Sequence, residues 1–575
     1  MKPCGKLFGT LLLATGSLAA SNYKEEMAML TAHRSSVKDL TVQFAKFFTN
    51  KDADGIGSLL TDNFALYDPA LKWVRGREKV LDVIRKQFQE TEKVSYEVVN
   101  AYEDGDIGIL EFKITLNQLV LYGVDFMQWK NGKMTELRCY YNPPNSPQEN
   151  VGSLDHSIVG AYAVDSNTRE ILNDKNGDLS MIPASCMKVV TTAAALHILG
   201  ADHFFETHLE YNGAISSDKI LKGNIYIRGG GDPCLGSDRI AGTLSWKEQI
   251  KAWAGAIQKL GIQRIEGKVV GDATKWEKAL AVPSWTWEDL GNYYGAGACA
   301  LSFHENSYSL FFKPDQKVGG DASLLRTEPP VSMLTFQNEV KTGPEGSGDG
   351  ACIYGSEFSS LQFIRGTIPA AVDEFAIKGA IPDPAAYCAD LLTEELQKRG
   401  IFVGQQEIEP RNKRTRFHTT RSPTVGEIVY WTNQKSINLY AEHLLKKMGE
   451  VVYDEGSTSA GIKAVTNFWL SQSVDLNGFN MVDGSGLSRK NLVTAKQFVE
   501  ILLRMKASDC FPLFFQSLPQ SQSSANTKAK SGSMSFIKGY VGYSGNAAFA
   551  MVVNQCPNRQ LMNKKLDEFV SSLGK

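Results

Sequence analysis

Helical spacing and strand-like alternation of apolar positions follow one another along this chain in an order that separates two modules. From about residue 25 to 145, helices come first and strands after. The spacing predicts helices over Glu25–Asn50, Asp54–Leu60 and Arg77–Thr91, with an aromatic turn at Phe64–Trp73. Strand-like runs follow at Val94–Tyr102, Ile107–Leu116, Leu119–Trp129 and Met134–Tyr141. Asn131-Gly132, between the last two, is a hairpin pair because both residues tolerate positive φ. Pro143, Pro144 and Pro147 then exclude helix and central strand alike and mark a linker. The second module, from about 150 to 575, opens on short strands at Ser157–Val164 and Glu170–Asn173 and reaches a helix near Ser185. Residues 206–400 are strand- and turn-rich, with glycine clusters at 229–231 and 346–350. Helical spacing returns at Ala385–Arg399 and over 424–507, before a strand pair within 525–555 and a last helix, Asn563–Leu573. Helices beside antiparallel strands predict a multidomain α+β protein.

The first 20 residues stand outside this pattern. Lys2 and Lys6 precede an apolar run from Leu7 that ends in Ser17-Leu18-Ala19-Ala20, which reads as a secretory signal peptide (1–20). Cys4 lies before that run, where it does not support lipid anchoring. The expected destination is periplasmic or extracellular. Composition adds exclusions: 43% hydrophobic and 22% charged residues over 575 positions describe a globular chain with room for several domains. With 61 basic and 63 acidic residues, no nucleic-acid partner is expected. No apolar stretch approaches the length of about 20 needed to span a membrane. The nine scattered cysteines leave disulfides or isolated thiols open. No His-Glu-x-x-His string occurs, and neither metal nor cofactor is predicted. The run Arg411-Asn412-Lys413-Arg414-Thr415-Arg416 reads as a solvated loop.

Candidate chemistry begins at Ser185-Cys186-Met187-Lys188. Residues three apart share a helical face, so a lysine amine can lie against a serine hydroxyl. Serine is a poor nucleophile until a base takes its proton, and lysine serves as base only with a depressed pKa. S-x-x-K alone is weak, since it starts at six serines here. Ser185 differs by context: Pro183 precedes it, and an Ala/Val/Leu-rich helix follows. Two further strings occur in order, Ser436-Ile437-Asn438 before a helix and Lys530-Ser531-Gly532-Ser533 before a strand-like run. Together these are variants of the S-x-x-K, S-D-N and K-T-G set of penicillin-binding proteins and class A β-lactamases. The literal Lys341-Thr342-Gly343 is a decoy. It precedes Ser436, and Pro344 after it has no N–H to donate to an oxyanion.

On these strings, with Gly229-Gly230-Gly231-Asp232-Pro233, Leu290-Gly291-Asn292-Tyr293-Tyr294-Gly295 and Asp483-Gly484-Ser485-Gly486-Leu487-Ser488, residues 150–575 resemble the class C low-molecular-mass penicillin-binding proteins. These are the D-alanyl-D-alanine carboxypeptidase/endopeptidase family. The resemblance implies a serine transpeptidase-type peptidase domain in two parts, 150–205 and 401–575, with strand-rich domains inserted at 206–400. It implies Ser185 as nucleophile, Lys188 as general base, and Lys530 as the cation that keeps Lys188 partly neutral. Ser436 would relay a proton and Asn438 would position Lys188. Lys530 and Ser531 would hold the substrate carboxylate, and the Ser185 and Ser533 amides, with Gly532 between the latter and Ser531, would form the oxyanion hole. Asp272 would face the free amine of a diaminopimelate side chain, with Trp276 as an apolar wall. The implied partners are peptidoglycan stem peptides ending in D-Ala-D-Ala, with β-lactams as covalent inhibitors. A catalytically idle scaffold is the alternative, but it would need no paired serine and lysine. Residues 25–145 resemble the SnoaL/NTF2-like cone, which implies a binding or dimerisation module. An isomerase-type site there would draw on Asp68, Asp125, Tyr67 and Tyr122.

Overall fold

Apolar residues three and four apart on the helices Val37–Thr49 and Arg77–Glu90 turn Phe44, Val80, Leu81, Ile84 and Phe88 onto a six-stranded sheet. The computed structural model describes residues 36–573, apart from 70, 118, 142–153, 155, 410–412 and 522–523. The expected signal peptide, the start of the first predicted helix and the proline linker lie outside the described residues. The chain divides into two compact units, Met1–Gly152 and Ser153–Lys575.

In the first unit the strands run in the spatial order Lys72–Arg75, Leu60–Asp68, Lys133–Tyr141, Leu119–Lys130, Ile107–Leu116, Val94–Asp104. The predicted aromatic turn is therefore a strand pair, with Asp68 opposite Lys72. Aromatic residues suit a pleated, half-buried surface, and that preference won locally. The Asn131-Gly132 hairpin forms with φ of 52° and 74°, the left-handed pair a tight turn requires. Alternation along Leu119–Lys130 sends Leu121, Asp125, Met127 and Trp129 inward and Tyr122 and Phe126 outward.

In the second unit a five-stranded antiparallel sheet joins the two ends of the module. Its order is Thr527–Met534, Ile537–Ser544, Ala547–Asn554, Ile158–Asp165, Ile171–Lys175. The expected terminal strand pair is thus three strands. The helix Met187–Ile198 is buried from Met187 through Leu196, which explains its Ala/Val/Leu composition. Around it pack Val425–Gln434, Asn438–Tyr453, Thr458–Ser471 and Ala495–Lys506.

The segment between these parts builds separate small sheets. One of them continues past the expected limit of 400. Thr415–Thr424 pairs antiparallel with Phe204–Tyr211. That strand is rich in threonine and arginine and half exposed, so it carries no apolar alternation to read. Of the basic run, Lys413, Thr415 and Arg416 are exposed as expected, whereas Arg414 stacks on Tyr226 at 3.7 Å and pairs with Asp272; residues 411–412 lie outside the described residues. Lys341-Thr342-Gly343 ends the strand Thr335–Gly343 of another sheet, where Lys341 pairs with Asp321. The eight cysteines among the described residues form no disulfide.

Candidate active site

Pro183 leads into a single 3₁₀ turn, Ala184–Cys186, which runs straight into the helix Met187–Ile198. Ala184 takes φ +47°, an uncommon conformation for a residue with a Cβ and one that recurs near functional sites. Two glycines hold this turn from either side. A Cβ on Gly532 would lie 2.5 Å from Pro183 O and 2.9 Å from Cys186 N. A Cβ on Gly486 would lie 1.8 Å from Ala184 O, and Gly486 itself has φ +84°. Cys186, beside the candidate nucleophile, donates its thiol to Lys530 O at 3.5 Å and so ties the turn to the Lys530 strand.

The S-x-x-K spacing does what helix geometry predicts. Lys188 Nζ stands 3.1 Å from Ser185 Oγ. It also lies 2.6 Å from Asn438 Oδ1 and 2.7 Å from Ser485 O. Both latter atoms are acceptors. A neutral amine has two N–H groups and one lone pair; with the N–H groups given to Asn438 and Ser485, the lone pair is left for the Ser185 hydroxyl. Lys188 is wholly buried, and burial, followed by the charge of Lys530, pushes its pKa well below the usual lysine value. Lys530 is 1% exposed and is itself lowered to about 8, chiefly by burial.

Asn438 is the first residue of its helix, and its Nδ2 donates to Tyr294 O at 2.8 Å. Ser436, two residues earlier, has φ +56°. Ser436 and Asn438 line a cleft of about 600 Å³ with Tyr293, Tyr294, Glu305 and Lys378. Lys530–Ser533 lies on Thr527–Met534, the outer strand of the five-stranded sheet. An outer strand can present backbone groups to an extended ligand.

The loop 483–488 has a structural task that sequence reading did not assign. Glu442, from the Asn438 helix, accepts from Ser485 N at 2.8 Å and from Gly484 N at 3.1 Å. Asp483 accepts from Gly486 N, Ser488 N, Asn491 Nδ2 and Trp285 Nε1 at 2.6–2.8 Å. These two buried carboxylates fix the loop whose Ser485 carbonyl receives Lys188. The glycine-serine string was visible in the sequence, but its partner Glu442 lies 43 positions from Ser485 and has no local signature.

Asp272 is not drawn into this cluster. Burial works against its charge, yet bonds from Thr274 and Arg414 hold its carboxyl below the usual range. Its carboxylate is engaged by Thr274 and Arg414 in another sheet. Trp276 is likewise 5% exposed, donating to Glu450 and packing on His443.

Residues 147–572 match the D-Ala-D-Ala carboxypeptidase 3 (S13) family, and residues 41–137 match a SnoaL-like domain. A D-alanyl-D-alanine carboxypeptidase of an Actinomadura species is 27% identical over 436 residues, 70% of this chain and 78% of the relative. The carboxypeptidase DacB of Haemophilus influenzae is 24% identical over 377 residues, 64% of this chain and 76% of its own length. The crystal structure of penicillin binding protein 4 from Haemophilus influenzae superposes with a TM-score of 0.64 at 22% identity, covering 73% of this chain and 97% of that one. By a match that spans residues 147–572, well over half of its length, this chain belongs to the D-Ala-D-Ala carboxypeptidase 3 (S13) family of hydrolases.

Proposed function

We propose that this carboxypeptidase acts through an acyl-enzyme on Ser185, hydrolysing peptidoglycan stem peptides that end in D-Ala-D-Ala. The observation that carries the reading is the placement of Lys188 Nζ: two carbonyl acceptors take its N–H groups, and Ser185 Oγ is the third neighbour at 3.1 Å. Neutral Lys188 takes the Ser185 proton as Oγ bonds to the carbonyl carbon between the two D-alanines. The Ser185 and Ser533 amides stabilise the oxyanion, with Gly532 letting the strand approach the turn. Collapse of the tetrahedral species breaks the C–N bond, and the amine leaves as D-alanine with a proton relayed by Ser436. Water then cleaves the ester. Lys530 and Ser531 bind the terminal carboxylate. β-Lactams, which present a strained amide beside a carboxylate, follow the first half of this path and stall at the ester. Cleavage of cross-links is the same chemistry on a longer leaving amine, and the open cleft beside Ser436 supports it. The N-terminal apolar run supports action outside the cytoplasm. Tyr122, Phe126 and Tyr140, exposed on the outer sheet face of the first unit, support contact with a second copy there.

A stem pentapeptide incubated with the enzyme is expected to release free D-alanine, and Ser185→Ala is expected to lower the rate by about 10³-fold or more. Equal release by the variant would refute the assignment.

A further inference from the structure

The cone of the first unit encloses a cavity of about 90 Å³ between its two long helices and the sheet. Phe44, Phe48, Tyr96, Phe112 and Tyr141 supply aromatic walls, with successive ring centroids 5.1–6.5 Å apart. Among these rings lies Asp125, only 2% exposed. Its Oδ2 accepts the Tyr96 hydroxyl at 2.5 Å. Its Oδ1 is buried without a hydrogen-bond partner, although it belongs to a residue that lines the cavity. Nearby stands the thiol of Cys139, which burial, then the Asp125 charge and a weak S–H contact to the Asp125 carboxylate push up; a thiol is a poor donor and leaves Oδ1 without a full hydrogen bond. Asp68 brings a second carboxylate to the wall, accepting from the Tyr141 hydroxyl at 2.5 Å. Among the described residues that line the cavity there is no lysine, arginine or histidine. The hydroxyls that meet these carboxylates are those of Tyr96 and Tyr141. Tyr67 and Tyr122, the tyrosines suggested by the sequence, are elsewhere: Tyr122 is 66% exposed, and Tyr67 packs at a tilt against Trp73 and Tyr140.

A buried carboxylate met only by one hydroxyl and a weak thiol donor is costly, because its second oxygen lacks a full hydrogen bond. Burial accordingly pushes Asp125 up to about 7. An anion would meet the buried Asp125 carboxylate with no lysine, arginine or histidine among the described lining residues. A neutral alcohol could bond to Oδ1 but would leave the charge uncompensated and the ring faces unused. An ammonium ion satisfies all three features: its N–H fills Oδ1, its charge balances the carboxylate, and aromatic faces attract cations. We propose that the cone is a second ligand site, for a compact apolar ammonium ion of about six to nine non-hydrogen atoms, given roughly one water volume per atom. Its N–H rests on Asp125 Oδ1 and its hydrocarbon body lies against the aromatic walls.

Calorimetric titration of the full chain with three probes of one shape tests this: cyclohexylammonium, cyclohexanol and cyclohexanecarboxylate. The ammonium is expected to bind, the carboxylate not at all, and the alcohol at least about ten-fold more weakly. Asp125→Asn keeps the size of the side chain and the Tyr96 contact. It is expected to weaken the amine by about ten-fold or more while leaving D-alanine release by the second unit unchanged. Should that variant prove unfolded, Ile84→Phe fills the cavity from the helix side with the carboxylate intact, and the same loss is expected. The proposal is overturned if the wild-type chain does not bind the amine at millimolar concentration. It is equally overturned if alcohol or carboxylate binds as tightly, or if the folded variant keeps wild-type affinity.

Discussion

Lys188 sits at the centre of the proposed mechanism because its environment sets its charge. A lysine with ordinary pKa would be a cation at neutral pH, with no lone pair to offer Ser185. Burial and then the Lys530 charge lower its value, so the basic form becomes populated. Lys530, lowered to about 8, keeps its own charge at neutral pH. The sign of the pH dependence follows. As pH rises through the Lys188 value, the base is uncovered and kcat/KM climbs. Above about 8, Lys530 loses its proton, and both the carboxylate anchor and the repulsion that keeps Lys188 neutral disappear, so kcat/KM falls. A bell-shaped profile with its basic limb near that value is expected, since kcat/KM reports the free enzyme. Lys530→Arg cannot deprotonate in this range and is expected to lose the basic limb along with part of the activity. A basic limb unmoved by that substitution would take Lys530 out of this role.

The element that positions the proposed base is the loop 483–488, held by Glu442 and Asp483. Glu442→Gln leaves the volume unchanged but turns an acceptor for Ser485 N or Gly484 N into a donor facing a donor. The loop should shift and take the Ser485 carbonyl from Lys188. Misplacement by about 1 Å can cost about 10²-fold, so acylation by penicillin is expected to slow by one to two orders of magnitude with the fold retained. Wild-type acylation rates in this variant would show that the loop is not a positioning device. At this scale the sequence was legible where chemistry is local. The Ser185–Lys188 spacing is a property of one helix turn, and the decoy at Lys341 was excluded by its place before Ser436 and by Pro344. Contacts between distant segments were not legible. Arg414 meeting Asp272, and Glu442 meeting Ser485, depend on strand register and helix packing that no local pattern encodes. The strand Thr415–Thr424 was missed for the same reason, since it is recruited by Phe204–Tyr211 and not by its own apolar alternation.

Across the whole molecule, the two units each carry a core. The first is built on Phe44, Phe112 and Trp129; the second has one core on the buried helix Met187–Ile198 and its neighbours and another on Trp253, Phe303 and Leu392. A cavity made in the first core should therefore be felt there. Phe112→Ala is expected to destabilise the first unit by about 3–5 kcal/mol, seen as an earlier unfolding transition, while penicillin labelling of the second unit persists. Loss of labelling together with that transition would mean that the two units unfold as one. The order of the two modules was readable from their patterns, because a helices-then-hairpins cone and a motif-bearing peptidase differ in period and punctuation. What joins the ends of the peptidase was not: the central sheet is spliced from Ile158–Lys175 and Thr527–Asn554, more than 350 residues apart. That splice brings the Lys530 strand to the Ser185 turn, and the account rests on their meeting. The most direct measurement is mass spectrometry of the native chain after exposure to benzylpenicillin, with peptide mapping of the adduct. One penicilloyl ester on Ser185, absent from Ser185→Ala and formed slowly in Lys188→Met, is the predicted result. An unmodified wild-type chain, or an adduct on another residue, would contradict it.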